Sequence, residues 1–102
     1  RSIMMNEATA SDGVLKAVFT IENYSQKTIN VSSLLEWSAR NSDGENLEIN
    51  LFDCNGPSLD GAILPNDKLK GEVCYTISGS PPFRIYYNHD FISSHILVWQ
   101  VQ

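Results

Sequence analysis

Apolar and polar residues alternate with a period of two over most of this chain, and helical spacing is nowhere sustained. Successive side chains of a strand point to opposite faces, so the pattern fits sheets with one buried face and one wet face. At Leu15, Ala17, Phe19 and Ile21 the odd positions are apolar, whereas Lys16, Thr20 and Glu22 are polar; Val18 is the exception. After the turn-rich break Asn23-Tyr24-Ser25-Gln26-Lys27, one face collects Ile29, Val31, Leu35, Trp37 and Ala39, and the other Asn30, Ser32, Glu36 and Arg40. Asn41-Ser42-Asp43-Gly44 signals a turn, because Gly44 tolerates positive φ and Asp43 can bond its own backbone. A hairpin is predicted there, its return strand turning Leu47, Ile49 and Leu51 inward and Glu48 and Asn50 outward.

Residues 53 to 67 contain Gly56, Pro57, Gly61 and Pro65 and read as an irregular connection with room for one helical turn. Alternation returns at Lys68 to Ile77, with Leu69, Val73, Tyr75 and Ile77 against Lys68, Lys70, Glu72 and Thr76. Gly79-Ser80-Pro81-Pro82 interrupts it, since proline donates nothing to a ladder, and Phe83, Ile85 and Tyr87 resume it. Leu97, Trp99 and Val101 share a face of the last segment. Roughly six or seven short strands separated by turns are the pattern of an all-β sandwich or barrel. The predicted core contains Phe19, Ile21, Val31, Trp37, Leu47, Ile49, Val73, Tyr75 and Trp99.

The chain has 102 residues, the usual size of one domain. Twelve acidic against seven basic side chains give a net charge of -5, and the basic ones are scattered, so nucleic acid is not an expected partner. No polybasic run is present to attract anionic lipid, and no apolar stretch is long enough for a membrane span, so the domain is not expected to insert into a membrane. The chain begins at Arg1 without a signal-like apolar segment, which predicts a mature or excised part of a longer protein.

Two segments carry a resemblance. Asn23-Tyr24-Ser25-Gln26-Lys27-Thr28-Ile29-Asn30-Val31 and Leu64-Pro65-Asn66-Asp67-Lys68-Leu69-Lys70-Gly71-Glu72-Val73-Cys74-Tyr75, with the Asp43-Gly44 turn between them, are similar to a family of secreted lipoprotein domains of Gram-positive bacteria. That family is known as a domain of unknown function, and its fold is similar to that of a mycobacterial immunoprotective extracellular antigen. The likeness spans residues 14 to 101, and its most specific part is the unit around Pro65 and Gly71; at Asn66-Asp67 the family more often has Gly followed by an acid. The resemblance implies an immunoglobulin-like two-sheet antiparallel β-sandwich. It also implies an extracellular or cell-surface location, held by a lipid or membrane anchor outside this sequence. No catalytic residue transfers with it.

Cys54 and Cys74 are the only cysteines, and an even pair in an exported domain predicts a disulfide, the alternative being two free thiols. A Cys-x-x-Cys spacing is absent, so zinc or thioredoxin-like chemistry is not expected. His89 beside Asp90, and His95 behind Ser93 and Ser94, lack any nucleophile-elbow context and read as solvated loop residues. Asp43, Glu45 and Asp53 lack calcium-loop spacing and read as turn residues, while Asn23-Tyr24-Ser25 and Asn30-Val31-Ser32 match the N-glycosylation sequon. No catalytic group, metal or cofactor is therefore expected. Alternation sets Arg84 and Tyr86 on the face opposite Phe83, Ile85 and Tyr87, so this exposed pair is a candidate binding patch, with a surface cross-strand pair as the plainer reading. The predicted role is a non-enzymatic interaction or accessory domain whose partner is a protein or a cell-wall component. The alternative is a carbohydrate-binding accessory module of a cell-wall enzyme, which would show a row of exposed coplanar aromatics.

Overall fold

A computed structural model describes residues 1–88 and 96–102; His89, Asp90, Phe91, Ser93, Ser94 and His95 lie outside the described residues. Two antiparallel sheets face each other. The first has the order β1-β2-β7-β5, from β1 (Ser2–Ser11), β2 (Val14–Glu22), β7 (Lys68–Thr76) and β5 (Glu48–Ile49). The second has the order β4-β8-β9, from β4 (Trp37–Arg40), β8 (Phe83–Tyr87) and β9 (Leu97–Val101). A ribbon of β3 (Ile29–Val31) and β6 (Gly61–Ile63) lies outside both. Four strands facing three in this order is the constant-type immunoglobulin arrangement, so the expected sandwich is the one observed.

The alternation works as predicted on β2, where Leu15, Ala17, Phe19 and Ile21 are buried and the even positions are not. Between the sheets the side chains meet in an aromatic cluster. The Trp37 ring lies 4.4 Å from Phe19 and 4.7 Å from Tyr87, and Trp99 sits 4.7 Å from Phe19 and 5.8 Å from Trp37. Of the predicted core, Ile49 and Trp99 are half-buried and pack against its margin, and the other seven residues are buried.

Several expectations need correction. Leu35 is exposed, because Ser32 starts a one-turn helix, α1 (Ser33–Glu36), within what reads as continuous strand. The Ser32 hydroxyl accepts from Leu35 N–H at 3.2 Å and Glu36 returns a carboxylate oxygen to Ser32 N–H at 2.8 Å, a reciprocal cap that outweighs local strand propensity. Residues 53–67 contain the strand β6 and no helix. Gly44 has φ +83° and the turn forms, but the return segment keeps only the Arg40–Asn46 bridge to β4, plus a bond from Leu47 N–H to Ala39. It then crosses to the first sheet, where Glu48 and Ile49 pair with Thr76 and Tyr75 of β7. β5 ends there, and Leu51 is exposed rather than inward.

The first strand has no counterpart in the sequence reading. β1 pairs with β2 through a turn at Asp12 (φ +55°) and Gly13 (φ +79°), two successive positive φ values that match the twist of a tight hairpin. A bulge between Met5 and Glu7 moves the inward positions from Ile3 and Met5 to Ala8 and Ala10, so the period of two breaks mid-strand. At Leu64-Pro65-Asn66-Asp67, Asp67 N–H donates to Leu64 O at 3.0 Å and Asn66 takes φ +64°. Asparagine here fills the left-handed position of a type II turn that glycine fills more often.

Replacing Trp37 with Ala removes the ring common to three aromatic contacts. The expected cost is about 3 to 5 kcal/mol of unfolding free energy, read as a lower urea midpoint with an unchanged slope.

Candidate functional site

The outward face of the second sheet carries the predicted patch. Phe83, Ile85 and Tyr87 point into the core, leaving Arg84 exposed and Tyr86 half-buried on the other side of β8. Register sets Arg40 of β4 and Gln100 of β9 on either side of Arg84, and Ser38 and Val98 on either side of Tyr86. The Arg40 guanidinium lies over the Tyr86 ring at 4.9 Å from its centroid, and its Nε donates to Asn46 Oδ1 at 3.2 Å. Arg40 is the member that sequence reasoning missed. Its outward parity was legible, but only the pairing of β4 with β8 brings it beside Arg84 and Tyr86.

Cys54 and Cys74 form a disulfide with Cα atoms 5.8 Å apart. Cys74 lies on the outer face of β7, apart from the inter-sheet core, yet is buried because residues 50–58 cover it. That covering segment is tied down at several points. Asn50 N–H donates to Cys74 O at 2.8 Å, Glu72 N–H to Pro57 O at 2.8 Å, and Gly56 N–H to the Glu72 carboxylate at 3.1 Å. Gly71 allows the approach, since a Cβ there would lie 2.6 Å from Ser58 O. Cys54, Glu72 and Cys74 bring their ligand atoms within 4.8 Å of one another, but both sulfurs are consumed by the bridge.

Asp43 and Glu45 belong to a turn built on buried Asn41, whose Oδ1 accepts from both their N–H groups at 3.0 and 3.1 Å. Asp53 belongs to a separate turn around Asn50, so these three acids are not gathered into one cluster. Of the two sequon asparagines, which would matter only in a eukaryotic secretory source, Asn23 is buried, with its amide donating to Lys27 O and Ile63 O at 2.7 and 2.9 Å, and Asn30 is exposed on β3. The exposed aromatics Tyr24 and Phe52 lie in the loops after β2 and after β5, and the half-buried Tyr86 lies on β8.

No family model and no curated protein matches the chain. Solved structures do. The chain superposes on the yjhA protein from Bacillus subtilis with TM-score 0.77 at 15% identity, covering 98% of this chain and 90% of that one. A candidate lipoprotein, ycdA, from Bacillus subtilis subsp. subtilis str. 168 gives 0.76 at 10% identity, covering 97% of this chain and 35% of that one. MPT63, a secreted protein from Mycobacterium tuberculosis, gives 0.64 at 19% identity, covering 96% and 80%. The fold is the immunoglobulin-like sandwich these proteins share. The expectation drawn from the resemblance is thus met at the level of fold, by a candidate lipoprotein and a mycobacterial secreted protein.

Three tyrosines are perturbed, the exposed Tyr24 upward through its hydrogen bond to the Glu22 carboxylate and two others mainly through burial. Burial raises Tyr75 above its ordinary value, and its hydroxyl has no hydrogen-bond partner among the described residues. Tyr87 is pushed up to about 12, first by burial and then by the Glu36 carboxylate, against the opposing pull of Arg1. Between the unfolded value of 10 and the folded ones, the native state holds more protons than the unfolded chain, so stability falls as pH rises. The contribution of Tyr75 and Tyr87 to stability is expected to be level below pH 10 and to drop above it, with the tyrosinate absorbance of these two buried rings appearing together with unfolding. Replacing both cysteines with Ser should cost about 3 kcal/mol, since the bridge closes a loop spanning 20 residues, and thiol labelling of the denatured, unreduced wild type should find no free thiol.

Proposed function

We propose that this chain is a non-enzymatic, extracellular interaction domain that presents the Arg40, Arg84 and Tyr86 face to a partner on the cell surface. That face is the observation that carries the reading: arginine and tyrosine are the residue types favoured in binding patches, and here a rigid sheet displays them together. The disulfide suits an oxidising compartment, and no helix among the described residues is long and apolar enough to cross a membrane. The fold relatives described as a secreted protein and a candidate lipoprotein support the same location, and the Bacillus proteins among them support a Gram-positive source. The chain spans 35% of ycdA, so such a domain also serves as one part of a longer protein, as the accessory role requires.

Binding of the purified domain to intact cells and isolated walls of the producing bacterium tests the reading. The double variant Arg84→Ala/Tyr86→Ala should bind roughly tenfold or more weakly, as loss of interface anchors does, while Lys70→Ala on the other sheet binds normally. Equal binding by all three proteins would refute the proposal.

A further inference from the structure

The arrangement of charge on this face is costly for the folded chain alone. Arg40 and Arg84 are direct cross-strand partners, and like charges so placed, with Cβ atoms about 4.5 to 5.5 Å apart, repel and destabilise the sheet. The chain has carboxylates to spare, twelve against seven basic groups, yet none stands among the described cross-strand neighbours of these two arginines. Among the described residues the one ion pair is Arg1 with Glu36, at 3.3 Å. The outward neighbours of the two arginines are Ser38, Asn46, Tyr86, Val98 and Gln100, all uncharged side chains at neutral pH. The Arg84 side chain makes no hydrogen bond to a described residue, and the Arg40 side chain uses only its Nε, toward Asn46. Stacking on Tyr86 and the Asn46 bond hold the Arg40 guanidinium in place while its terminal nitrogens stay available.

We infer that Arg40 and Arg84, with Tyr86 beside them, form a binding site for a phosphate monoester group on the partner. This rests on the reading that the face is a contact surface, and names the chemistry it takes. Register sets two forked guanidinium side chains next to each other on one face, and the arginine fork is the group that binds phosphate oxygens bidentately. Charge selects among anions. The pair carries two positive charges, which a dianionic phosphate monoester balances and a single carboxylate does not, and the second phosphate ionisation lies near pH ~6. The net charge of -5 disfavours general adhesion to polyanions, so binding has to come from a local group of cations such as this one.

Amide chemical-shift titration of the whole chain with phenyl phosphate, at constant ionic strength, tests the assignment. Shifts should concentrate at residues 38–40, 84–86 and 98–100. Arg40→Gln and Arg84→Gln should each weaken binding roughly tenfold, with spectra elsewhere unchanged to show that the variants fold. Affinity should fall between pH about 7.5 and about 5, as the ester takes up its second proton. Equal shifts with benzoate, shifts centred on Lys68 and Lys70, or indifference to both arginine variants would overturn the site. If phosphate binds here but cell binding ignores Arg84→Ala/Tyr86→Ala, the functional reading fails and the site stands. If the double variant abolishes cell binding but phenyl phosphate does nothing, the phosphate assignment fails alone.

Discussion

Contact between the rings of Phe19, Trp37, Tyr87 and Trp99 is what makes two small sheets into one body. Antibody domains join the corresponding strands with a disulfide packed against a tryptophan on the third strand of the fold. Here Trp37 sits on the equivalent strand, β4, but its neighbours on β2 and β8 are Phe19 and Tyr87. Large rings bury more apolar surface than a cystine does and add oriented edge-to-face contacts, so the cluster serves where no inter-sheet bridge exists. The arrangement has a cost. Trp37 Nε1 is buried without a hydrogen-bond partner among the described residues, a penalty on the order of 1 to 3 kcal/mol that the ring burial must offset.

With the sheets joined by rings, the one disulfide is free to act elsewhere. It pins the segment between β5 and β6 across the outside of β7, where Gly71 permits backbone to pass within reach of backbone. Buried asparagines do comparable work at the turns. Asn23 joins its own turn to Ile63 and Lys27, and Asn41 gathers Asp43, Glu45 and Ser78. Each satisfies backbone groups that an irregular segment would otherwise leave unpaired inside the protein. These ties hold the edges of the sandwich, so the outer face of β4, β8 and β9 is displayed on a fixed frame.

Placement of the arginines separates stability from use. A chain with a net charge of -5 could have paired Arg40 and Arg84 with carboxylates, and the register instead sets them against each other. Cation–π stacking on Tyr86 relieves part of the repulsion by keeping one guanidinium over an electron-rich ring. What remains is a pair of neighbouring arginines on the outer face of the sheet whose inner side holds the aromatic cluster.

The sequence alone determined which side chains face inward wherever a strand ran unbroken. A period of two converts parity directly into burial, which is why β2, β8 and the inward Trp37 and Ala39 were legible, and why Arg84 and Tyr86 were found on the outer face. Wherever one residue shifted that parity, legibility stopped: the bulge near Asn6 hid β1, and the Ser32 cap turned Leu35 outward. Pairing is a second kind of information that parity does not contain. Which strand lies beside which depends on chain crossings and on contacts far apart in sequence, and these sent Glu48 and Ile49 to β7 and Arg40 to Arg84. The two cysteines could be read as a pair because there were only two, and the even position of Cys74 set it on the outer face, toward solvent or a covering loop; the structure supplies the loop. Parity is local and survives in the sequence; adjacency is a property of the folded chain, and the candidate site exists only through adjacency.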